Sequence, residues 1–410
     1  MPNKKTISLS TMVLTLLLAV VTMATSAADK KYAPGISDTE IKIGNTSPYS
    51  GPASAYGVVG KALRAYFDKV NADGGINGRK IIFLSLDDGY SPPKTKEQFR
   101  KLVEREKVAL IFQPVGTPTN AAVQRYMNRK KVPQLFVGSG ASRWGQQPEK
   151  FPWTMGWTPT YRTEGRIYGE YLLKNKPDAR IGILYQNDDY GGDYVQGLKD
   201  ALGEKAGTMI VAEESYEVTD PTIDSQIVNL KAAGADTFYD ITIAKFSAQA
   251  IRKAHDIGWK PLHILNSISA SISAALAPAG LEKSKDIVTA AYLKDAGDPA
   301  WRDDPAYRAW LAWMDQWYPQ GNKDDYLSVY AYAAAETLMA VLQRAGDNLT
   351  RENIMKQAAS LKNVRVGMLL PGITVTTSPD DYYPIEAMQM KRFDGTGWVR
   401  FGEVIGIESS

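Results

Sequence analysis

The chain has 410 residues, enough for two or three domains at ~100–200 residues each, with 44% hydrophobic and 23% charged residues. That composition excludes a disordered chain, and the near balance of 48 Lys+Arg against 45 Asp+Glu excludes nucleic acid or an anionic membrane as a bulk electrostatic partner. Cysteine is absent and there are only two histidines, which excludes thiol nucleophiles, disulfide frameworks, iron–sulfur clusters and thiolate zinc sites.

At the N-terminus, Lys4 and Lys5 precede an apolar run from Met12 to Met23 and the small residues Ala24-Thr25-Ser26-Ala27-Ala28. This is the three-part pattern of a secretory signal peptide, residues 1–28. The apolar core falls short of the ~20 residues a membrane span needs, and no cysteine follows it to carry a lipid. A soluble periplasmic protein without a membrane anchor, starting at Ala28 or Asp29, is the expectation.

From there, short β-rich apolar runs alternate with helix-period segments, the signature of βαβ units and a mainly parallel sheet. Strands are predicted at Ile41–Pro48, Lys80–Leu86, Ala109–Val115 and Gln134–Gly138, separated by helices around Gly57–Asn71, Pro93–Arg105 and Pro118–Arg129. The rhythm restarts with strands near Arg180–Gln186, Thr208–Glu213, Asp236–Thr242, Leu262–Asn266 and Ile287–Tyr292. Helices are predicted around Tyr194–Leu202, Ser225–Ala233, Phe246–His255, Pro305–Trp317, Ser328–Ala345 and Arg351–Ser360. The fold class is therefore α/β, two similar doubly wound (Rossmann-like) halves. Thr117-Pro118 reads as an N-cap followed by proline in the first helical turn, and the stripe Trp310, Trp313, Trp317 reads as packing.

Catalytic and nucleotide motifs fail on inspection. Gly57-Val-Val-Gly60-Lys61 has two residues between its glycines where a P-loop needs four, and Gly138-Ser-Gly140 lacks the third glycine of a dinucleotide fingerprint. No nucleophile elbow is present, His255 and His263 have no partner pattern, and the recurrent Asp-Asp pairs sit where caps and turns use them. No cofactor, no metal and no enzymatic activity are expected. The strand-end loops are instead rich in glycine and hydroxyl residues: Ser47-Pro48-Tyr49-Ser50-Gly51-Pro52, Val115-Gly116-Thr117-Pro118-Thr119-Asn120, and Gly138-Ser139-Gly140-Ala141-Ser142. Such residues serve either as caps alone or as caps that also meet a carboxylate.

Ile41-Lys-Ile-Gly44, Ser50-Gly-Pro52, Tyr56-Gly57, Ile76-Asn77-Gly78-Arg79, Asp87-Asp88 with Lys94, and Asp189-Tyr190-Gly191, in this order and spacing, resemble the solute-binding proteins of branched-chain amino-acid type ABC transporters. The resemblance runs from about Ile41 to Gly346. It implies a type I periplasmic binding fold whose two lobes, joined by a three-segment hinge, close on a small ligand. The N-terminal lobe would take residues 37–155 plus 292–365 and the C-terminal lobe 156–291 plus 366–410. Crossings would fall near Trp153–Pro159, Thr289–Asp295 and Val364–Pro371.

Carried over residue by residue, the resemblance implies ligand contacts at Tyr56, Gly116, Thr117, Ser139, Gly140, Ala141, Tyr190, Thr242, Ile243, Ser267 and Ile268, with a wall near Tyr326 and Leu327. The chain departs from the family where amino-acid binders place an acidic residue against the ligand's ammonium, because that position is Ile268. An unpaired buried ammonium is costly, so an aromatic organic acid is favoured over a branched-chain or other amino acid unless Asp188, Asp189 or Asp240 substitutes. Tyr56, Tyr190 and Phe246 offer flat walls for such an acid. The implied partner is an inner-membrane permease with a cytoplasmic ATPase, approached by a monomer. A sensory ligand-binding protein of the same fold is also compatible with these residues.

Overall fold

The computed structural model describes residues 30–406; the signal peptide expected over 1–28 lies outside them. Two parallel-stranded sheets organise the chain. The first holds β1 (Glu40–Ser47), β2 (Lys80–Asp87), β3 (Leu110–Phe112), β4 (Gln134–Val137) and β5 (Thr154–Gly156), in the order β2-β1-β3-β4-β5. The second holds β6 (Ile181–Gln186), β7 (Ile210–Tyr216), β8 (Thr237–Ile241), β9 (Leu262–Leu265) and β10 (Val288–Ala291), extended by β11 (Ala387–Phe393) and β12 (Trp398–Gly406). Its order is β12-β11-β10-β9-β8-β6-β7, with only β11 and β12 running antiparallel to their neighbours. The first five strands of each sheet share one winding, so each has a switch point where the strand order reverses, beside its first strand.

The helices covering the sheets are α1 (Val58–Ala72), α2 (Pro92–Arg100), α3 (Thr117–Lys130), α4 (Tyr161–Asn175), α5 (Asp189–Leu202), α6 (Asp224–Ala232), α7 (Ala244–Asp256), α8 (Pro305–Trp317), α9 (Tyr326–Ala345) and α10 (Arg351–Ala358). Strands such as β3 and β8 are buried along their whole length, as parallel strands covered on both faces must be. Helix α9 is apolar nearly all round and lies in the core of the first lobe, beginning at Asp325, whose carboxylate accepts the Leu327 N–H. Trp310 and Trp313 are buried, Trp313 against Tyr66 and Tyr332. Among the described residues no helix is long and apolar enough to cross a membrane.

Besides the short strand β5, which falls inside the expected first crossing, three features differ from the sequence expectation. Helix α4 was not expected, because Gly165 and Gly169 weaken its helical signature. Those glycines are there for close packing: a Cβ on Gly165 would meet the Tyr194 carbonyl oxygen at 2.5 Å, and one on Gly197 of α5 would meet the Arg162 carbonyl oxygen at 2.1 Å. The hairpin β11–β12 was also not expected. Its inward residues Met388, Met390 and Phe393 break strict alternation where the ladder shifts register between Gln389 and Lys391, two of them are methionine rather than β-branched, and its turn is Asp394–Gly397. Finally, the last connection between the lobes lies later than Val364–Pro371. Leu369 bridges Leu293 at the second crossing, but Val375 then pairs back onto Val364 and Thr377 onto Ala358 and Leu361. The chain reaches the second sheet only at Ala387.

Two predictions follow from this packing. Gly197→Ala has no room for its methyl and should lower stability by about 1–3 kcal/mol, read as a lower urea midpoint with an unchanged slope. Glu336 of α9 accepts the Gly367 N–H at 3.1 Å, and burial pushes its carboxyl up to about 7 from an ordinary 4.5. The folded chain thus holds a proton that the unfolded chain has released, and stability from this group is lost as pH rises from about 4.5 through about 7. Glu336→Gln should therefore melt progressively higher than wild type as pH is raised from 5 to 8.

Candidate functional site

The carboxyl ends of the two sheets face one another across a cleft with about 570 Å³ of space between its walls, the solvent at its mouth included. Its walls carry seven tyrosines, Tyr56, Tyr90, Tyr161, Tyr190, Tyr292, Tyr326 and Tyr330, with Val59, Val115, Ile243, Ile268 and Leu327 between them. Gly116, Thr117, Gly138, Ser139 and Thr158 complete the lining. Among the described residues no Asp, Glu, Lys, Arg or His lines it.

Three helix N-termini reach this cleft from the switch points, and they are satisfied differently. At α5, Asp188 accepts from the Tyr190 and Gly191 N–H groups and from the Gln186 amide. Burial pushes its carboxyl up to about 6. At α7, the Ile243 N–H donates to the Tyr216 hydroxyl at 3.0 Å and the Ala244 N–H to the Tyr56 hydroxyl at 3.1 Å. At α3, the N-cap is Gly116 and no side chain caps the first turn. Gly116 has φ +108°, and a Cβ there would strike Tyr90 and Thr119, so glycine brings this backbone up to the cavity.

Beside α3 the hydroxyls of Thr117 and Ser139 are 2.7 Å apart, and the Tyr161 phenol stands near both. The Trp144 indole N–H donates to Ser139 at 3.0 Å and holds its rotamer. Burial raises the phenols of all seven lining tyrosines, so they stay protonated and able to donate. The Tyr190 hydroxyl is buried without a protein partner, and the Tyr330 hydroxyl donates to Gln113 at 2.6 Å.

Of the residues expected to contact a ligand, Tyr56, Gly116, Thr117, Ser139, Tyr190, Ile243 and Ile268 line the cleft, as do Tyr326 and Leu327. Four do not. Gly140 accepts the Tyr161 N–H through its carbonyl, and the Ala141 N–H donates to Ser139. Thr242 donates to Asp240 and pairs with Ser247, while Ser267 is turned to Glu164. Phe246 is buried against Tyr216 rather than facing the cleft. The carboxylates that might have met an ammonium are engaged or outside: Asp240 bonds Thr242 and His263, Asp188 caps α5, and Asp189 pairs with Arg143 on the surface.

Sequence reasoning missed Tyr90, Tyr161, Tyr292 and Tyr330. Thr158 and Tyr292 lie inside the first and second expected crossings, which run along the cleft. Tyr330 lies one turn beyond Tyr326 on α9. Glu164, also missed, stands behind the second wall. Its carboxylate accepts from the Ser267 N–H and hydroxyl, both at 2.7 Å, and from Tyr168 at 2.6 Å, while burial raises its pKa. It thereby ties α4 to the loop that carries Ile268.

A family model described as periplasmic binding protein matches residues 40–397. Leu/Ile/Val-binding protein homolog 7 of Brucella abortus (strain 2308) is 25% identical over 285 residues, covering 67% of this chain and 69% of its own. The branched chain amino acid ABC transporter structure from Thermus thermophilus with bound valine superposes with a TM-score of 0.81 at 16% identity, covering 91% of this chain and 98% of that one. The fatty acid ABC transporter substrate-binding protein from Thermomonospora curvata gives 0.74 at 22%, covering 92% and 95%. At these identities the structures speak for the fold.

Removing the Glu164 carboxylate leaves the Ser267 N–H buried with no acceptor. Glu164→Ala should cost about 2–4 kcal/mol in urea unfolding, and Glu164→Gln, which keeps one acceptor, clearly less.

Proposed function

We propose that this chain, which belongs to the periplasmic binding protein family, captures a small aromatic monocarboxylic acid in the periplasm and delivers it, as a monomer, to an inner-membrane ABC permease. The observation that carries the ligand assignment is the contrast among the three helix N-termini. Asp188 and the Tyr216 and Tyr56 hydroxyls satisfy α5 and α7, while the first turn of α3 has no side-chain cap and stands beside the Thr117, Ser139 and Tyr161 hydroxyls. Oriented amides and hydroxyl donors suit a carboxylate. Beyond them the walls are aromatic and aliphatic, which suits a flat apolar body.

The same lining argues against a zwitterion. A ligand ammonium in this cleft would have no carboxylate to meet, since none lines it among the described residues, and an unpaired buried charge costs several kcal/mol. The branched-chain names of the relatives and the valine in the Thermus structure make leucine, isoleucine and valine the comparison set. The importer class rests on family membership, and the absence of a catalytic motif agrees with a protein that binds and releases its ligand unchanged.

A thermal-shift screen tests this directly. Benzoate and cinnamate derivatives should raise the melting temperature while leucine, isoleucine and valine leave it unmoved; the reverse pattern overturns the assignment. Thr117→Ala with Ser139→Ala should weaken binding at least tenfold, equivalent to about 1.4 kcal/mol or more, while the free protein still folds, at a lower melting temperature because the Trp144 and Ala141 N–H groups lose their acceptor.

A further inference from the structure

Tyr56 does more than line the cleft. It stands in the turn Ser54–Gly57 ahead of α1, on the first lobe, yet every polar partner of its hydroxyl belongs to the second. The oxygen accepts the Ala244 N–H at 3.1 Å and lies 3.4 Å from the Ile268 carbonyl and 3.3 Å from the Ser269 hydroxyl. Acceptor and donor capacities of one phenol are thus both used across the cleft, on the first turn of α7 and the loop after β9. Tyr56 is only 8% exposed, so water does not replace these partners while the lobes are together. When the lobes part, all three contacts are lost at once and the Ala244 N–H turns to solvent.

We infer that Tyr56 is a bolt across the cleft: its hydroxyl fills the N-terminus of α7 from the opposite lobe, favouring closure and restricting the ligand to a single anionic end. The second lobe offers the cleft two helix N-termini, and Asp188 already occupies the other. An anionic group extending toward this lobe would have to displace the Tyr56 phenol, and it would find no Lys, Arg or His lining the cavity among the described residues. The selectivity half of this inference rests on the carboxylate reading above; the bolt itself does not.

Two variants break the same bond from opposite sides. Tyr56→Phe removes the acceptor. Ala244→Pro removes the donor at the first helical position, where proline is accommodated, and Ile243 before it has φ −77° and ψ 157°, which proline allows. Retained melting transitions show that both fold. In small-angle X-ray scattering without ligand, each should have a larger radius of gyration than wild type, and the double variant should open no further than either single one. In calorimetry, wild type should prefer benzoate over terephthalate. Tyr56→Phe should narrow that preference roughly two- to tenfold, the effect of one neutral hydrogen bond. Ala244→Pro should not narrow it, because the N–H that would receive the second carboxylate is gone.

Unchanged scattering in Tyr56→Phe overturns the bolt whatever Ala244→Pro shows, because the proline ring also presses on the Tyr56 phenol. Expansion with an unchanged benzoate-to-terephthalate ratio in Tyr56→Phe overturns the selectivity. If neither acid binds wild type, the carboxylate reading has failed, and the scattering result still decides the bolt.

Discussion

Peptide N–H groups at the start of a helix have no partner within that helix, and a cleft that closes cannot leave them to water. Much of the candidate site follows from this requirement. Identical winding of the two sheets brings the switch points face to face, and the helices that begin there point their first turns into the space between. Each must find an acceptor. A carboxylate serves at α5, two phenols serve at α7, and α3 is left with hydroxyl neighbours and a glycine that lets its backbone come forward. The uneven distribution of acceptors gives the cavity a polar end and an apolar end.

Tyrosine suits this arrangement because it combines a large apolar face with one hydroxyl that burial keeps protonated. The rings of Tyr161, Tyr190 and Tyr194 pack edge to face or stacked with centroids 4.8–5.6 Å apart, forming a continuous wall without a formal charge. Charged side chains are held behind that wall and bonded to backbone or hydroxyl donors. Glu164 is the clearest case, and its role is to hold the loop that presents Ile268.

The strands and most helices were legible because hydrophobic periodicity and turn chemistry agreed in them. Where the two disagreed, the reading failed. Gly165 and Gly169 look like interruptions in a sequence and are contact points in the structure, so periodicity does not announce α4. Met388 and Met390 carry little strand preference, so it does not announce β11 either. The site was partly legible, since residues at strand ends such as Thr117, Ser139 and Ile243 fall where an open α/β sheet gathers its ligands. Thr242 and Ser267 show the limit of that argument: each neighbours a lining residue, yet backbone direction turns its side chain inward to Asp240 or Glu164. Tyr90 depends on loop conformation, at φ +60°, which periodicity does not report, and Tyr161 opens α4, the helix whose glycines hide it.

Helices α4 and α5 touch backbone to backbone through Gly165 and Gly197, and α4 begins directly after the first crossing. Glu164 and Tyr168 then fasten α4 to the ends of β9 and β10. The hinge therefore does not lead into a pliable layer; rotation about it carries the second lobe's wall as one piece. Division of labour follows from that rigidity. Under the function proposed above, substitutions around Thr117, Ser139 and Tyr161 would retune which chemical group is recognised without altering how the lobes swing, so a lineage built on this scaffold would diversify its diet while keeping one machine for delivery.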